Sequence, residues 1–128
     1  MKLYIASSLN NVERIKQLRD EFVSAGIHIT YDWTSHGYVT DEEALAQIAV
    51  NEYNGVKSAA CLLMVLPARI GSHFEFGVAY SSGIPVVILE EEKSERMLAF
   101  YKLPSVYITD NKDDAFQRVI EVLKYNVI

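Results

Sequence analysis

Glu75 stands in the segment Pro67-Ala-Arg-Ile-Gly-Ser-His-Phe-Glu-Phe-Gly-Val-Ala-Tyr80, directly after the apolar run Cys61–Leu66. That order places a carboxylate in the first turn of a helix, at the end of a buried strand. The positive end of a helix stabilises an anion there by about 0.3–1 kcal/mol, up to ~2. Full burial acts in the opposite sense and raises a carboxyl pKa by about 3–5, at about 1.4 kcal/mol per unit. The dipole alone therefore does not keep a buried Glu75 ionised. A hydrogen-bond donor or an open, wet pocket must contribute, and Tyr4 at the neighbouring strand end can supply a donor. An ionised carboxylate held in this way can act as a nucleophile. The same pattern also fits a first-turn acid with no chemical role.

Other chemistries find little support. His28, His36 and His73 are dispersed and lack paired-ligand spacing, so no metal site is expected. Ser72 and His73 are adjacent without forming a triad, and no Gly-x-Ser-x-Gly elbow occurs. Gly-x-Gly-x-x-Gly is absent, which leaves dinucleotide redox binding unsupported. Glu90-Glu91-Glu92 reads as a solvated strand end. The single Cys61 lies in an apolar run and offers neither a disulfide framework nor a cysteine zinc site.

The elements that must position Glu75 follow from periodicity. Leu3–Ala6 is a short apolar run ending at Ser7-Ser8, a strand and then a turn. Val12, Ile15, Leu18, Phe22 and Val23 have helical spacing, with Gly26 as the closing glycine. Ile27–Tyr31 alternates as a second strand, and a Ser-, Gly- and His-containing loop spans Thr34–Thr40. Thr40 or Asp41 opens a helix carrying Ala44, Leu45, Ile48, Ala49 and Val56, with Glu42 and Glu43 in its first turn. Cys61–Leu66 and Ile84–Leu89 read as strands buried on both faces. Between them Ser72 caps a helix running to about Ser82, closed by Gly83. A short helix at Ser94–Tyr101, a strand at Ser105–Thr109 and a helix at Lys112–Tyr125 complete the chain. In the last helix Phe116, Val119, Ile120 and Leu123 face inward.

Strict alternation predicts an α/β fold, a single-domain flavodoxin-like three-layer sandwich. Its five-stranded parallel sheet takes the order 2-1-3-4-5, with helices on both faces. Such folds bind ligands beyond the carboxyl ends of the strands, at the switch point between strands 1 and 3. The loops Ser7–Asn11, Asp32–Thr40 and Pro67–Glu75 then surround one crevice. Residues 1–128 suit one domain. The composition, 50% hydrophobic and 23% charged, excludes disorder. Seventeen acidic residues against 12 basic ones, net charge −5, argue against a non-specific nucleic-acid binder. The apolar runs Ala59–Leu66 and Ile84–Leu89 fall short of a membrane span of about 20 residues. Met1-Lys2-Leu3-Tyr4 passes directly into structured-looking sequence, so no signal peptide is read and a cytoplasmic protein is expected.

Gly71-Ser72-His73-Phe74-Glu75-Phe76-Gly77-Val78-Ala79, followed by Gly83-Ile84-Pro85-Val86-Val87, resembles the signature of the nucleoside 2-deoxyribosyltransferase-like family. Lys2–Ser7 resembles the family's first strand with its active-site tyrosine. Asn51-Glu52-Tyr53-Asn54-Gly55-Val56 resembles its Asn-Asp-x-x-Gly-Ile motif. The three matches occur in order from Lys2 to Leu89. By that resemblance Glu75 is a nucleophile that attacks the anomeric carbon of a (deoxy)ribose, and Tyr4 orients it. Glu52 contacts the departing base and helps protonate it. Retaining glycosyl transfer needs such a carboxylate and a proton source, through a covalent glycosyl-enzyme that meets water or a second base. No metal or organic cofactor is implied. A homo-oligomer is.

Two positions depart from the family. Arg69 stands where an aspartate commonly precedes the nucleophile by six positions, and Ala60 replaces another aspartate. An acid-to-base change in the substrate loop suggests a held anion, since arginine forks phosphate well. The expected substrate is therefore a nucleoside or nucleoside 5′-monophosphate. Ser7, Ser8 and Ser72, with backbone N–H groups at helix starts, are expected to complete a phosphate site, and Gly71 is expected among the substrate-binding residues. Asp32 is open to a sugar hydroxyl or a role as a second acid, and Trp33 is read as packing. Two further readings remain beside this one, a non-catalytic nucleotide-binding module and a glycohydrolase acting on NAD-like dinucleotides.

Overall fold

A computed structural model describes residues 1–93 and 98–125. In chain order the elements are β1 (Lys2–Ala6), α1 (Val12–Ser24), β2 (His28–Ile29), α2 (Glu42–Ser58), β3 (Cys61–Val65), α3 (Ile70–Ser81), β4 (Val86–Leu89), β5 (Val106–Thr109) and α4 (Lys112–Tyr125). Short 3-10 turns lie at Leu9–Asn11, Trp33–Ser35 and Ala99–Lys102. Every strand pair is parallel and the sheet order is β2-β1-β3-β4-β5. This is the flavodoxin-like α/β arrangement that the alternation predicts.

The centre of the sheet explains the apolar runs. All five residues of β3 and all four of β4 are buried, because helices cover both faces. On one face α1 and α4 meet through Phe22 and Phe116, whose rings stack with centroids 4.5 Å apart. On the other, α2 and α3 run side by side, joined at their ends by Lys57 Nζ donating to Ser82 Oγ at 3.2 Å. Gly26 and Gly83 follow α1 and α3 with φ of 85° and 74°, the left-handed conformation that closes a helix and favours glycine.

Several boundaries differ from the periodic reading. The second strand is only His28–Ile29, not Ile27–Tyr31. It is an edge strand paired on one side with β1, and after Thr30 the chain turns into the Asp32-capped 3-10 turn. The helix predicted to be capped by Ser72 begins at Ile70, with Arg69 in the extended capping position and no side-chain cap bond. Ser72 is thus inside the first turn. Val23, Leu45 and Ala49, apolar positions of the helical spacing, are exposed. Of the last helix, Ala115, Val119 and Val122 are fully buried, while Phe116, Ile120 and Leu123 pack against the core from its edge. The helix predicted over Ser94–Tyr101 falls partly on residues 94–97, outside the described residues; its remainder is the 3-10 turn Ala99–Lys102. Glu90 is buried rather than solvated, and Glu91 pairs with Arg14 of α1. Among the described residues no helix is long and apolar enough to cross a membrane.

Candidate active site

A cleft of about 490 Å³ opens at the carboxyl ends of β1 and β3, within the range of small-molecule sites. Ser7 and Ser8 line it after β1, and Trp33, His36, Gly37, Tyr38 and Val39 after β2. Leu45, Ile48 and Glu52 come from α2, and Arg69, Gly71, Ser72 and Glu75 from the start of α3. This is the switch point, where β1 sits between β2 and β3 and the connections leave in opposite directions.

Glu75 lies one turn into α3 and is only 4% exposed. The hydroxyl of Tyr4, fully buried on β1, donates to its Oε2. Burial raises the Tyr4 phenol far above its ordinary value and the Glu75 carboxylate reinforces that, so Tyr4 remains a donor. The Glu75 carboxyl is itself pushed up to about 9. Burial is the main cause; the nearby Glu52 carboxyl adds to it, and the Tyr4 hydroxyl works against it. The site thus sets two carboxyls beside each other, with a buried phenol donating to Glu75.

Gly55 is the reason α2 can bring Glu52 so near. A Cβ at this position would meet the Tyr31 Cβ at 2.9 Å and the Tyr4 ring at 3.1 Å. The glycine lets helix backbone lie against that ring, one turn beyond Glu52. Its carbonyl also accepts from Thr30 Oγ1 at 2.7 Å, tying α2 to the end of β2.

The residues expected to bind substrate divide into two groups. Ser7, Arg69, Gly71 and Ser72 all line the cleft. Ser7 Oγ is engaged, donating to the Val65 carbonyl at 2.7 Å and accepting from Asn11 Nδ2 at 3.1 Å. Ser72 Oγ is buried without a hydrogen-bond partner, and Arg69 has no ion-pair partner among the described residues. Asp32 is the exception and does not line the cleft. It caps the 3-10 turn through the Thr34 N–H at 3.1 Å, and Arg19 Nη1 of α1 donates to its Oδ2 at 2.8 Å. Partial burial pushes this carboxyl up, yet the bonds from Thr34 and Arg19 hold it below the usual carboxylate range. Its acceptors are spent on structure rather than on a sugar.

Trp33 is buried and its Nε1 donates to the Ile5 carbonyl at 2.7 Å, so it packs as expected while one side borders the cleft. His73 turns away to the neighbouring groove, where Nε2 lies 2.7 Å from the Tyr101 hydroxyl. Tyr101 is itself buried, at 4% exposure. His36 and Tyr38 belong to the Asp32–Thr40 loop expected to border the crevice, whereas the sequence gives no site role to Gly55, Leu45 or Ile48 individually. For Gly55 the local signal is its place three positions after Glu52 on the helix, the spacing of the motif Asn51–Val56.

A scan against protein-family models matches none, and a search of curated proteins finds no relative. Among solved structures the fold is similar to that of a CMP N-glycosidase from Clostridium botulinum, BcmB, with a TM-score of 0.66. The two share 16% sequence identity over 94% of this chain and 99% of the other, a likeness of fold.

Proposed function

We propose that this protein cleaves the N-glycosidic bond of a nucleoside 5′-monophosphate, with Glu75 as nucleophile. The observation that carries the reading is the Tyr4–Glu75 hydrogen bond beside Glu52 on the floor of the switch-point cleft. In the proposed reactive state Glu52 is the proton donor and Glu75 is ionised and oriented by Tyr4. Glu75 attacks the anomeric carbon as the bond to the base breaks, and the base leaves with that electron pair and takes the proton from Glu52. Water then attacks the glycosyl ester, giving up a proton to Glu52 and restoring the pair. A second base in place of water gives transfer. Arg69, without an ion-pair partner among the described residues, supplies charge for the 5′-phosphate at the start of α3, and the buried Ser72 hydroxyl lies in the first turn of the same helix. The similarity of fold to a CMP N-glycosidase favours a nucleotide over a free nucleoside.

The test is incubation with ribo- and deoxyribonucleosides, their monophosphates and NAD, followed by chromatography of free base. Base release is expected from monophosphates, and its loss in both Glu75→Ala and Glu75→Gln. A charge-assisted phosphate contact of about 1.5–3 kcal/mol predicts a preference over the nucleoside of about 10–100-fold, erased by Arg69→Ala. Binding of nucleotide without release would assign a binding module instead. Release from NAD alone would assign a dinucleotide glycohydrolase.

A further inference from the structure

The two flanks of the cleft differ in chemistry. The loop after β1 and the start of α3 contribute Ser7, Ser8, Arg69 and Ser72. The loop after β2 and helix α2 contribute Tyr38, Val39, Leu45 and Ile48. Because β1 lies between β2 and β3, the two sets approach from opposite sides of the same strand. A cation and hydroxyls face an apolar wall. That division suits a ligand with one anionic end and one flat, weakly polar end.

The wall has little left with which to read the edge of a base. Trp33 Nε1 is spent on the Ile5 carbonyl at 2.7 Å. His36 Nδ1 lies 3.1 Å from the Gly37 carbonyl, which can only accept, and its Nε2 is buried away from solvent. No Asn, Gln, Lys or Arg lines the cleft from this flank, so the side chains that recognise base edges by paired hydrogen bonds are missing. Glu52 is the one acid there, and the proposed mechanism already spends it on protonating the leaving group. What the wall does offer is a ring. Tyr38 is 86% exposed, and among the described residues it has no hydrogen bond or ring partner. Its hydroxyl lies in the ring plane, so a base stacked on the face does not meet it. Leu45, 44% exposed, extends the wall from α2. Stacking of this kind is indifferent to base identity, since every base has a π-face.

We propose that this wall is a base-tolerant subsite, in which Tyr38 stacks on the purine or pyrimidine and no side chain but Glu52 contacts its edge. Selectivity then lies at the sugar phosphate, and monophosphates of different bases share one site. The inference rests on the nucleotide reading of the cleft and adds to it the breadth of the substrate class.

Isothermal titration calorimetry on Glu75→Gln, which binds without turnover, tests it. The ligands are the 5′-monophosphates of adenosine, guanosine, cytidine and uridine, their 2′-deoxy counterparts, and ribose 5-phosphate, which has no base. Within each sugar series the nucleotides are expected to bind within about tenfold of one another, and ribose 5-phosphate more weakly. Adding Tyr38→Ala should weaken every nucleotide by about 5–100-fold and leave ribose 5-phosphate unchanged. Tyr38→Phe keeps the ring and should keep the affinity. One base bound more than about 100-fold above the others would mean that its edge is read by hydrogen bonds, and would overturn the proposal. So would a Tyr38→Ala variant that binds nucleotides undiminished, or one that loses ribose 5-phosphate to the same degree. If neither nucleotides nor ribose 5-phosphate bind, the nucleotide reading of the cleft falls as well, a result distinct from the other three.

Discussion

The carboxyl of Glu75 costs the folded protein stability that a neutral group would not. Its raised pKa comes first from burial and then from the neighbouring Glu52 carboxyl, and the Tyr4 hydroxyl offsets only part of this. Because the folded value lies above the unfolded one, the native state binds an extra proton between the two. The stabilisation tied to that proton is full below the ordinary carboxyl value near 4.5 and is lost as pH rises through about 9. Glu75→Gln keeps the shape and an acceptor for Tyr4 but does not titrate. It is expected to match the wild type in urea unfolding at pH 4 and to exceed it at pH 8 by on the order of 1–3 kcal/mol. A variant with no advantage at pH 8 would mean that the buried carboxyl is not strained. Sequence alone foresaw that a helix dipole could not hold this charge, and pointed to Tyr4 as the donor. It leaves Asp32 open, and the reach of Arg19 from α1 to that carboxylate is a contact no local pattern announces.

At the scale of elements, the approach of α2 to β1 depends on one missing side chain. A methyl group at Gly55 would press on Tyr31 and the Tyr4 ring at 2.9–3.1 Å, neither of which is the free end of a flexible chain. Gly55→Ala is expected to destabilise the fold by about 1–3 kcal/mol and to lower activity by moving Glu52 away from Glu75. Gly77→Ala is its counterpart. That position is exposed in α3 with nothing within 4 Å of a new Cβ, so the substitution should stabilise by about 0.4–1 kcal/mol. Thermal unfolding of the two variants beside the wild type checks both signs. Legibility follows the same physics. The helix Lys112–Tyr125 and the central strands were readable because each carries its own period and its own burial. The second strand and the start of α3 were not, since their ends are set by pairing with β1 and by the turn at Asp32 or Arg69 rather than by hydrophobic spacing.

Across the whole molecule the charge balance works against the ligand that the cleft is proposed to hold. A net charge of −5 repels a nucleotide at long range, so any affinity for one must come from a local cation and from dipoles at the cleft. Arg69 and the start of α3 are the groups in position to supply it. A ligand that binds only the folded state stabilises it by about 2.7 kcal/mol at a hundred times its dissociation constant. For a chain of this size that corresponds to a rise in Tm on the order of 10 °C. A nucleoside 5′-monophosphate is therefore expected to raise the Tm of Glu75→Gln, which binds without turnover, while the matching nucleoside at the same concentration raises it less. With Arg69→Ala added, a loss of about 10–100-fold in affinity reduces the stabilisation at that concentration to about half or less. Differential scanning fluorimetry of the single and double variants reads this directly. A nucleotide shift that survives Arg69→Ala in full would move the anion's hold from Arg69 to the helix start and the buried Ser72 hydroxyl.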